Sequence, residues 1–260
     1  MYLKPTTFIA AIVIFMQSTI VNAQTVQTGV FTITSTSEKI LGKENANEFK
    51  KILDIDEEIT WSVYVPETYD PGIPPGILLF QFYTNKIEHP IGWDTAMEER
   101  NMILISIVGK GGEYPLKKEL IISILAPVML QQKYKINTSR VYTSSVGGCV
   151  NAGAVAMNYP NIIKGAIYVN CNPGTWRKKE PERVDLMRLN RYYFIAGRDR
   201  FKQIDNTQEI KKYEKAGINQ VKFVRTGRLN RLDNLNREML LDAIDYLDGQ
   251  ENINSDTDEN

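Results

Sequence analysis

The residues best suited to covalent chemistry lie in one short stretch, "RVYTSSVGGCVNAG", at positions 140–153. It begins with β-branched and aromatic residues typical of a strand, continues through small residues typical of a tight turn, and ends with residues that favour a helix. Two serines stand where the strand pattern gives way to the turn. A serine hydroxyl held there could attack an ester carbonyl, provided that a neighbouring base takes its proton.

The base that such a serine needs is scarce, because the chain has one histidine, His89. It lies in "NKIEHPIGW", which is predicted to form a loop between a buried strand and a helix. Two interpretations stay open: a solvent-facing loop residue before Pro90, or a base relocated from its usual position. No second histidine exists and no cysteine stands near His89 at ligand spacing, so we predict neither a metal site nor a cofactor.

The first 23 residues have the parts of a secretory signal peptide. Lys4 supplies a positive charge, an apolar run extends over residues 8–16, and Val21 and Ala23 are the small residues of a cleavage site. Polar residues break the run well before the ~20 apolar residues that a membrane span needs. We therefore expect cleavage after Ala23, a secreted or periplasmic protein, and no stable membrane insertion afterwards.

Overall charge and cysteine content also limit the function. The 31 basic residues balance 31 acidic ones, so the charge gives no reason to expect binding to nucleic acid. Cys149 and Cys171 are the two cysteines, and export would allow a disulfide between them to persist. A disulfide and a pair of small buried side chains that pack near each other stay open as alternatives.

Strand and helix patterns alternate along the rest of the chain. The predicted elements would position the candidate serine, histidine and cysteine residues. Continuous apolar runs at 77–82 and 102–108 predict strands buried on both faces of a parallel sheet. A strand at 140–145 is followed by a small-residue helix pattern from 146, and a later helix is predicted at 207–217. This order predicts an α/β fold, a doubly wound and mostly parallel sheet with helices on both faces.

The same patterns divide the chain into segments. The predicted divisions are a signal peptide at 1–23, an N-terminal strand and lead-in segment at 24–57, one α/β domain at 58–249, and an acidic disordered tail at 250–260.

Three segments carry a resemblance to a known family: "WSVYVPETYDPGIPPGILLF", "RVYTSSVGGCVNAGAVAMNYPNIIKGAIYVNC" and "YYFIAGRDRF". Over residues 58–248 the chain resembles the α/β-hydrolase fold, in particular the secreted esterases that include polyhydroxybutyrate depolymerases and feruloyl esterases. In that family a Gly-x-Ser-x-Gly elbow holds the nucleophilic serine above the sheet. The resemblance places residues 143–147 on the elbow, which implies Ser145 as nucleophile, Asp199 as triad acid and the Val146 N–H as an oxyanion donor.

The implied site departs from the family pattern in two places. The family's histidine lies just before the last helix, where residues 230–232 are Asn, Arg and Leu, none of which is a base near neutral pH. The His-Gly pair that normally follows the first core strand and supplies an oxyanion donor is replaced by Gln81, Phe82 and Tyr83. Their bulk is expected to narrow the mouth of the site.

Arginines near the implied site suggest a binding role. Arg198 lies beside Asp199, and Arg228 lies in the loop that replaces the histidine, so both could hold an anionic ligand; a solvated loop with arginines paired to aspartates is the alternative. The sequence favours an exported hydrolase homologue that has lost esterase activity and binds a partner or a small ester, saccharide or anionic ligand. An active esterase with Ser145 as nucleophile and His89 as relocated base stays open, as does a structural envelope protein.

Overall fold

The computed structural model describes residues 26–84, 92–109, 114–176, 179–227, 229 and 235–250, with the backbone alone at 82–84. Within these residues the chain forms one sheet. Its strands are β1 (Gly29–Ser35), β2 (Ile59–Val65), β3 (Gly76–Thr84), β4 (Met102–Val108), β5 (Val141–Val146), β6 (Gly165–Val169), β7 (Arg191–Ala196) and β8 (Val221–Arg225).

The strand order across the sheet is β1-β2-β4-β3-β5-β6-β7-β8. Strand β2 runs antiparallel to both of its neighbours, and every other pair is parallel. The chain passes from β3 to β4 on one side and then crosses β3 to place β5 on its other side. This reversal puts the topological switch point between β3 and β5, where ligands bind beyond the carboxyl ends of the strands in open α/β sheets.

Helices cover both faces of the sheet. In the described part of the chain they are α1 (Ser37–Leu41), α2 (Lys43–Ala46), α3 (Trp93–Arg100), α4 (Leu116–Gln131), α5 (Val150–Asn158), α6 (Val184–Met187), α7 (Arg200–Lys215) and α8 (Arg237–Leu247). Helices α4, α5 and α7 share one core cluster with Val141, and α3 and α8 share a second cluster with Tyr142. Because successive strand residues point to opposite faces, the clusters lie on opposite sides of the sheet. The predicted doubly wound α/β architecture is confirmed.

Boundaries near the ends of β5 and β7 differ from the sequence-based prediction. Strand β5 includes Val146, and α5 begins at Val150 rather than at 146, because Gly147 and Gly148 form the turn between them. Helix α7 begins at Arg200 rather than at residue 207, because the preceding aspartate caps it. The short helices α1, α2 and α6 carry too few periodic apolar residues to be predicted.

The N-terminal segment belongs to the same sheet. Strand β1 pairs with β2 along its whole length, from Gly29 opposite Val65 to Ser35 opposite Ile59. The predicted signal peptide and the residues after Gln250 lie outside the described residues. Among the helices that the structure describes, none combines the length and apolar character needed to cross a bilayer.

Candidate functional site

The turn between β5 and α5 lies beside the switch point of the sheet. Gly147 follows the last residue of β5 with a φ of 77°, a left-handed conformation that residues with a side chain rarely adopt. Its N–H donates to the Val169 carbonyl at 3.0 Å, which ties the turn to β6. A Cβ placed on Gly147 or Gly148 would meet nothing within 4 Å, and both residues are exposed. The corner is therefore open and carries no side chain.

Ser145 lies inside β5, before that corner. It is in register with Tyr168 of β6 and is 1% exposed. Its Oγ lies 3.0 Å from the Gln81 carbonyl oxygen and 2.8 Å from the Gly148 carbonyl oxygen. Because a hydroxyl has one proton to donate, the two carbonyls share it. The structure thus differs from the expectation that Ser145 stands exposed on the elbow: its hydroxyl joins the end of β3 to the turn.

The segments expected to supply the oxyanion hole have other contacts. Val146 keeps strand geometry in register with Val169, so its N–H precedes the corner, whereas the N–H after the corner residue belongs to Gly148. Gln81 is 6% exposed, and its Nε2 donates to the Ser123 hydroxyl of α4 at 2.9 Å. Gln81 therefore packs against α4 rather than narrowing the mouth of a site. The side chains of its neighbours Phe82 and Tyr83 lie outside the described residues.

Asp199 is the N-cap of α7. One carboxylate oxygen accepts hydrogen bonds from the Phe201 N–H at 2.8 Å and the Lys202 N–H at 3.3 Å. Aspartate is a favoured residue at this position because it satisfies helix N–H groups that have no partner within the helix. The neighbouring Arg198 is exposed, and its N–H donates to the Gly227 carbonyl at 3.1 Å. The described contacts of the Asp199 carboxylate are thus those of a helix cap.

Cys149 and Cys171 are joined in a disulfide, with Cα atoms 5.6 Å apart. Cys149 is the residue before α5, and Cys171 lies just beyond β6. Both are almost completely buried. Of the two alternatives that the sequence left open, the structure has the bridged one, and it fixes the start of α5 to the end of the neighbouring strand.

Asn170 is a residue of this edge that the sequence analysis missed. It follows β6 with a φ of 53°, and asparagine is one of the few residues with a side chain that adopt this conformation. Its Nδ2 donates to the Leu229 carbonyl at 2.8 Å, and its Oδ1 accepts from the Gly197 N–H at 3.4 Å. Asn170 therefore joins the ends of β6 and β7 to the loop after β8. An asparagine directly after a buried strand pattern was the available signal.

Two predicted site residues, His89 and Arg228, lie outside the described residues, so their roles stay predictions. The replaced histidine positions 230–232 lie outside them too. Within the part of the chain that the structure describes, no group of three or more His, Cys, Asp or Glu side chains is placed to hold a metal ion.

Comparison with known proteins supports the fold and no narrower assignment. No family model and no curated protein matches the chain. A thermostable esterase matches with 12% identity and a TM-score of 0.56, over 84% of this chain and 59% of its own. The feruloyl esterase module of Clostridium thermocellum, solved as a serine-to-alanine variant with sinapinate, matches with 11% identity and a TM-score of 0.58, over 92% and 94%. Oligopeptidase B from Leishmania major matches with 14% identity and a TM-score of 0.54, over 85% of this chain and 37% of its own.

The chain has the α/β-hydrolase fold, and its structural neighbours include esterases and peptidases. The resemblance to esterases of this fold is thereby confirmed at the level of the fold. The chain spans less than two thirds of the thermostable esterase and of the oligopeptidase, and nearly all of the feruloyl esterase module.

Proposed function

We propose that this protein is an exported ligand-binding protein with the α/β-hydrolase fold that does not hydrolyse esters. The observation that carries the proposal is the residue at the corner between β5 and α5. Hydrolases of this fold place their serine on that sharp strand-to-helix turn, with the hydroxyl exposed above the sheet. Here the residue with positive φ at the turn is Gly147, which has no nucleophile to offer.

Ser145 is a poor substitute for the absent nucleophile. An active serine needs an exposed hydroxyl and a base within about 2.6–3.2 Å that takes its proton. Ser145 is 1% exposed, and the described groups at its hydroxyl are two backbone carbonyls, which accept a hydrogen bond but cannot remove a proton near neutral pH. Attack by this hydroxyl would require β3 and the turn to separate first.

Asp199 supports the same conclusion from the other side of the site. The acid of a triad orients an imidazole and stabilises its charge. Asp199 instead stabilises the first turn of α7, which gives the carboxylate a structural reason to be present without any histidine. The open corner and the exposed arginine beside Asp199 favour binding, and the signal-like residues 1–23 favour export.

The hydrolysis of p-nitrophenyl acetate and butyrate tests the proposal. Wild-type protein and the Ser145→Ala variant should hydrolyse both esters equally slowly. The wild type already lacks the triad histidine at its family position, and losing one triad member costs about three or more powers of ten in rate. A fluorophosphonate probe, which labels activated serines, should leave the protein unlabelled. Labelling of Ser145 that disappears in His89→Ala, with a rate that rises with pH through about 6.5, would establish the esterase instead.

A thiol placed at Gly148 of the corner or at Ser145 tests the geometry directly. Gly148→Cys should react with iodoacetamide in the folded protein, because the position is exposed and a side chain there meets no other atom within 4 Å. Ser145→Cys should react only after denaturation. The native cysteines are bridged and give no background under non-reducing conditions. Rapid labelling of Ser145→Cys in the folded state would contradict the buried position.

A further inference from the structure

Basic and apolar side chains surround the amino end of α7. Phe201 is 80% exposed and Ile204 is 43% exposed, and residues at this spacing lie on the same side of a helix. Arg200 and Lys202 flank Phe201 in sequence and project to either side of it. The set comprises Arg198, Arg200, Phe201, Lys202, Ile204 and Arg225, and is called the α7 surface below.

The sheet brings Arg225 to the same edge as Arg198. Arg225 ends β8 in register with Ala196, and the Arg198 N–H donates to the Gly227 carbonyl at 3.1 Å. The guanidinium of Arg225 lies 5.4 Å from the centre of the Phe223 ring. This contact restricts the side chain and leaves a planar donor that can pair with a carboxylate through two hydrogen bonds.

The positive charge of the α7 surface has no partner among the described residues. None of its four basic side chains forms an ion pair with a described carboxylate. Asp199 turns its carboxylate to the helix N–H groups, and Asp205 is the other acid in the first two turns of α7. Four cations against two carboxylates leave an excess of positive charge around an exposed aromatic ring.

We propose that the α7 surface binds an acidic oligosaccharide, with a sugar ring stacked on Phe201 and uronate carboxylates paired with the arginines. This inference rests on the proposed function in one respect, that the bound molecule is a ligand rather than a substrate. Sugar rings present C–H faces that pack on an exposed aromatic side chain, and arginine is the side chain best shaped for carboxylates. The surface carries both groups within one helical turn and the adjoining strand end.

Other occupants fit these residues less well. A helical peptide needs apolar anchors over two turns, but the outward face of α7 continues with the exposed polar residues Gln208 and Lys211. A bilayer needs more apolar area than one phenylalanine and one isoleucine provide. Asp248, the residue directly after α8, pairs with Arg140 just before β5, so the chain's own acidic tail starts from the opposite edge of the sheet.

Binding to polygalacturonate, compared with its methyl-esterified neutral form, tests the proposal. Isothermal titration and affinity electrophoresis should show the full chain binding the charged polymer more tightly. Phe201→Ala should weaken binding about fivefold to tenfold through loss of ring stacking. The double variant Arg198→Gln with Arg200→Gln should weaken it further and flatten its salt dependence. Lys211→Gln, which removes an exposed charge on the same helix outside the surface, is the matched control and should bind like wild type.

Several outcomes would overturn the inference. They are no binding at about 50 mM salt, equal binding of charged and neutral polymer, or a loss in Lys211→Gln equal to that in the arginine variant. Phe201-dependent flotation with phosphatidylglycerol vesicles without polymer binding would assign the surface to a membrane. Polymer binding that appears only after truncation at Gln250 would mean that the acidic tail occupies the α7 surface in the full chain. The esterase test depends on Ser145, and the binding test depends on Phe201. A protein that hydrolyses the esters and also binds polygalacturonate through Phe201 would therefore refute the proposed function and leave this inference standing.

Discussion

The two edges of the parallel sheet are held together in different ways. At the carboxyl edge, a glycine turn, a serine hydroxyl, an asparagine amide and a disulfide all bind or fix the backbone. At the amino edge, charged side chains bind each other. Arg140 pairs with Asp248 through two hydrogen bonds of 2.8 and 2.6 Å, and Arg100 pairs with Asp245 through two of 2.5 and 2.7 Å.

The amino-edge network is partly shielded from water. The side chains of Arg140 and Asp248 are 21% and 9% exposed, and both line a surface cavity of about 820 Å³. Tyr142 donates to Asp248 at 2.6 Å, and burial together with this hydrogen bond raises the pKa of the tyrosine well above its ordinary value. The network ties the end of α8 to the start of β5.

The two edges differ in the kind of group that holds them together. The carboxyl edge is where α/β enzymes leave polar groups free for a substrate. In the described part of this chain, the Ser145 hydroxyl and the Asn170 amide at that edge bind backbone groups, so both side chains contribute to stability. Neutral contacts and ion pairs respond differently to salt and pH, which makes the comparison testable.

The largest effect is expected from removing the disulfide. A bridge over a sequence separation of 22 residues stabilises by about 3 kcal/mol in the chain-entropy treatment, so Cys149→Ser with Cys171→Ser should lower the free energy of unfolding by about that amount. Urea unfolding measures it, and reduced wild-type protein should give the same value. A loss below about 1 kcal/mol would show that the carboxyl edge depends little on this bridge.

A somewhat smaller loss is expected at the amino edge. Asp248→Asn leaves the partly buried Arg140 without its charge partner and should cost about 2 kcal/mol, less than for a fully buried pair. Arg237→Gln is the matched control, because it breaks a pair with Glu99 whose side chains are 36% and 34% exposed, and should leave the free energy of unfolding close to that of wild type. Equal losses in the two variants would remove the distinction between network and surface pair.

The turn at Asn170 should contribute less than either. Asn170→Ala loses two hydrogen bonds and places at φ 53° a residue that adopts this conformation less readily than asparagine, at a cost of about 1.5 kcal/mol. Asn170→Gly keeps the backbone conformation and loses the hydrogen bonds alone, so about 1 kcal/mol is expected. Thermal unfolding of the two variants separates the contribution of the hydrogen bonds from that of the backbone conformation. A larger loss for Asn170→Gly than for Asn170→Ala would mean that backbone strain is unimportant there.

The fold was predictable because its signals are local. The buried strand β4 matches the predicted run at 102–108 residue for residue, since a continuous run of seven residues, six of them apolar, is typical of a strand buried on both faces. The residue at the corner between β5 and α5 was not predictable, because the sequence pattern of an elbow can be centred on Ser145 as well as on Gly147. Positive φ is a property of the backbone, and it falls on Gly147. The role of Asn170 depends on residues 197 and 229, which only the folded sheet brings near.

The smallest predicted effect tests whether the two edges respond differently to pH. It concerns Glu98 of α3, which lies two residues before Arg100 of the amino-edge ion pairs. Burial would raise the pKa of the Glu98 carboxyl, but hydrogen bonds from the Tyr64 hydroxyl, the Glu67 N–H and Thr68 outweigh it and hold the pKa below its ordinary value of 4.5. Since the unfolded chain binds the proton first, this stabilisation is complete above about pH 4.5 and is lost as the pH falls through the folded pKa.

Glu98→Gln should therefore destabilise at pH 7 by less than about 1 kcal/mol, because the side chain is only partly buried, and the difference from wild type should shrink toward pH 3. Ser145→Ala at the carboxyl edge is the control. It removes a neutral hydrogen bond, so its loss of about 1 kcal/mol should be the same at both pH values. Urea unfolding at each pH measures both variants. A Ser145→Ala loss that changes with pH would mean that a titrating group faces the serine after all, which would also reopen its role as a nucleophile.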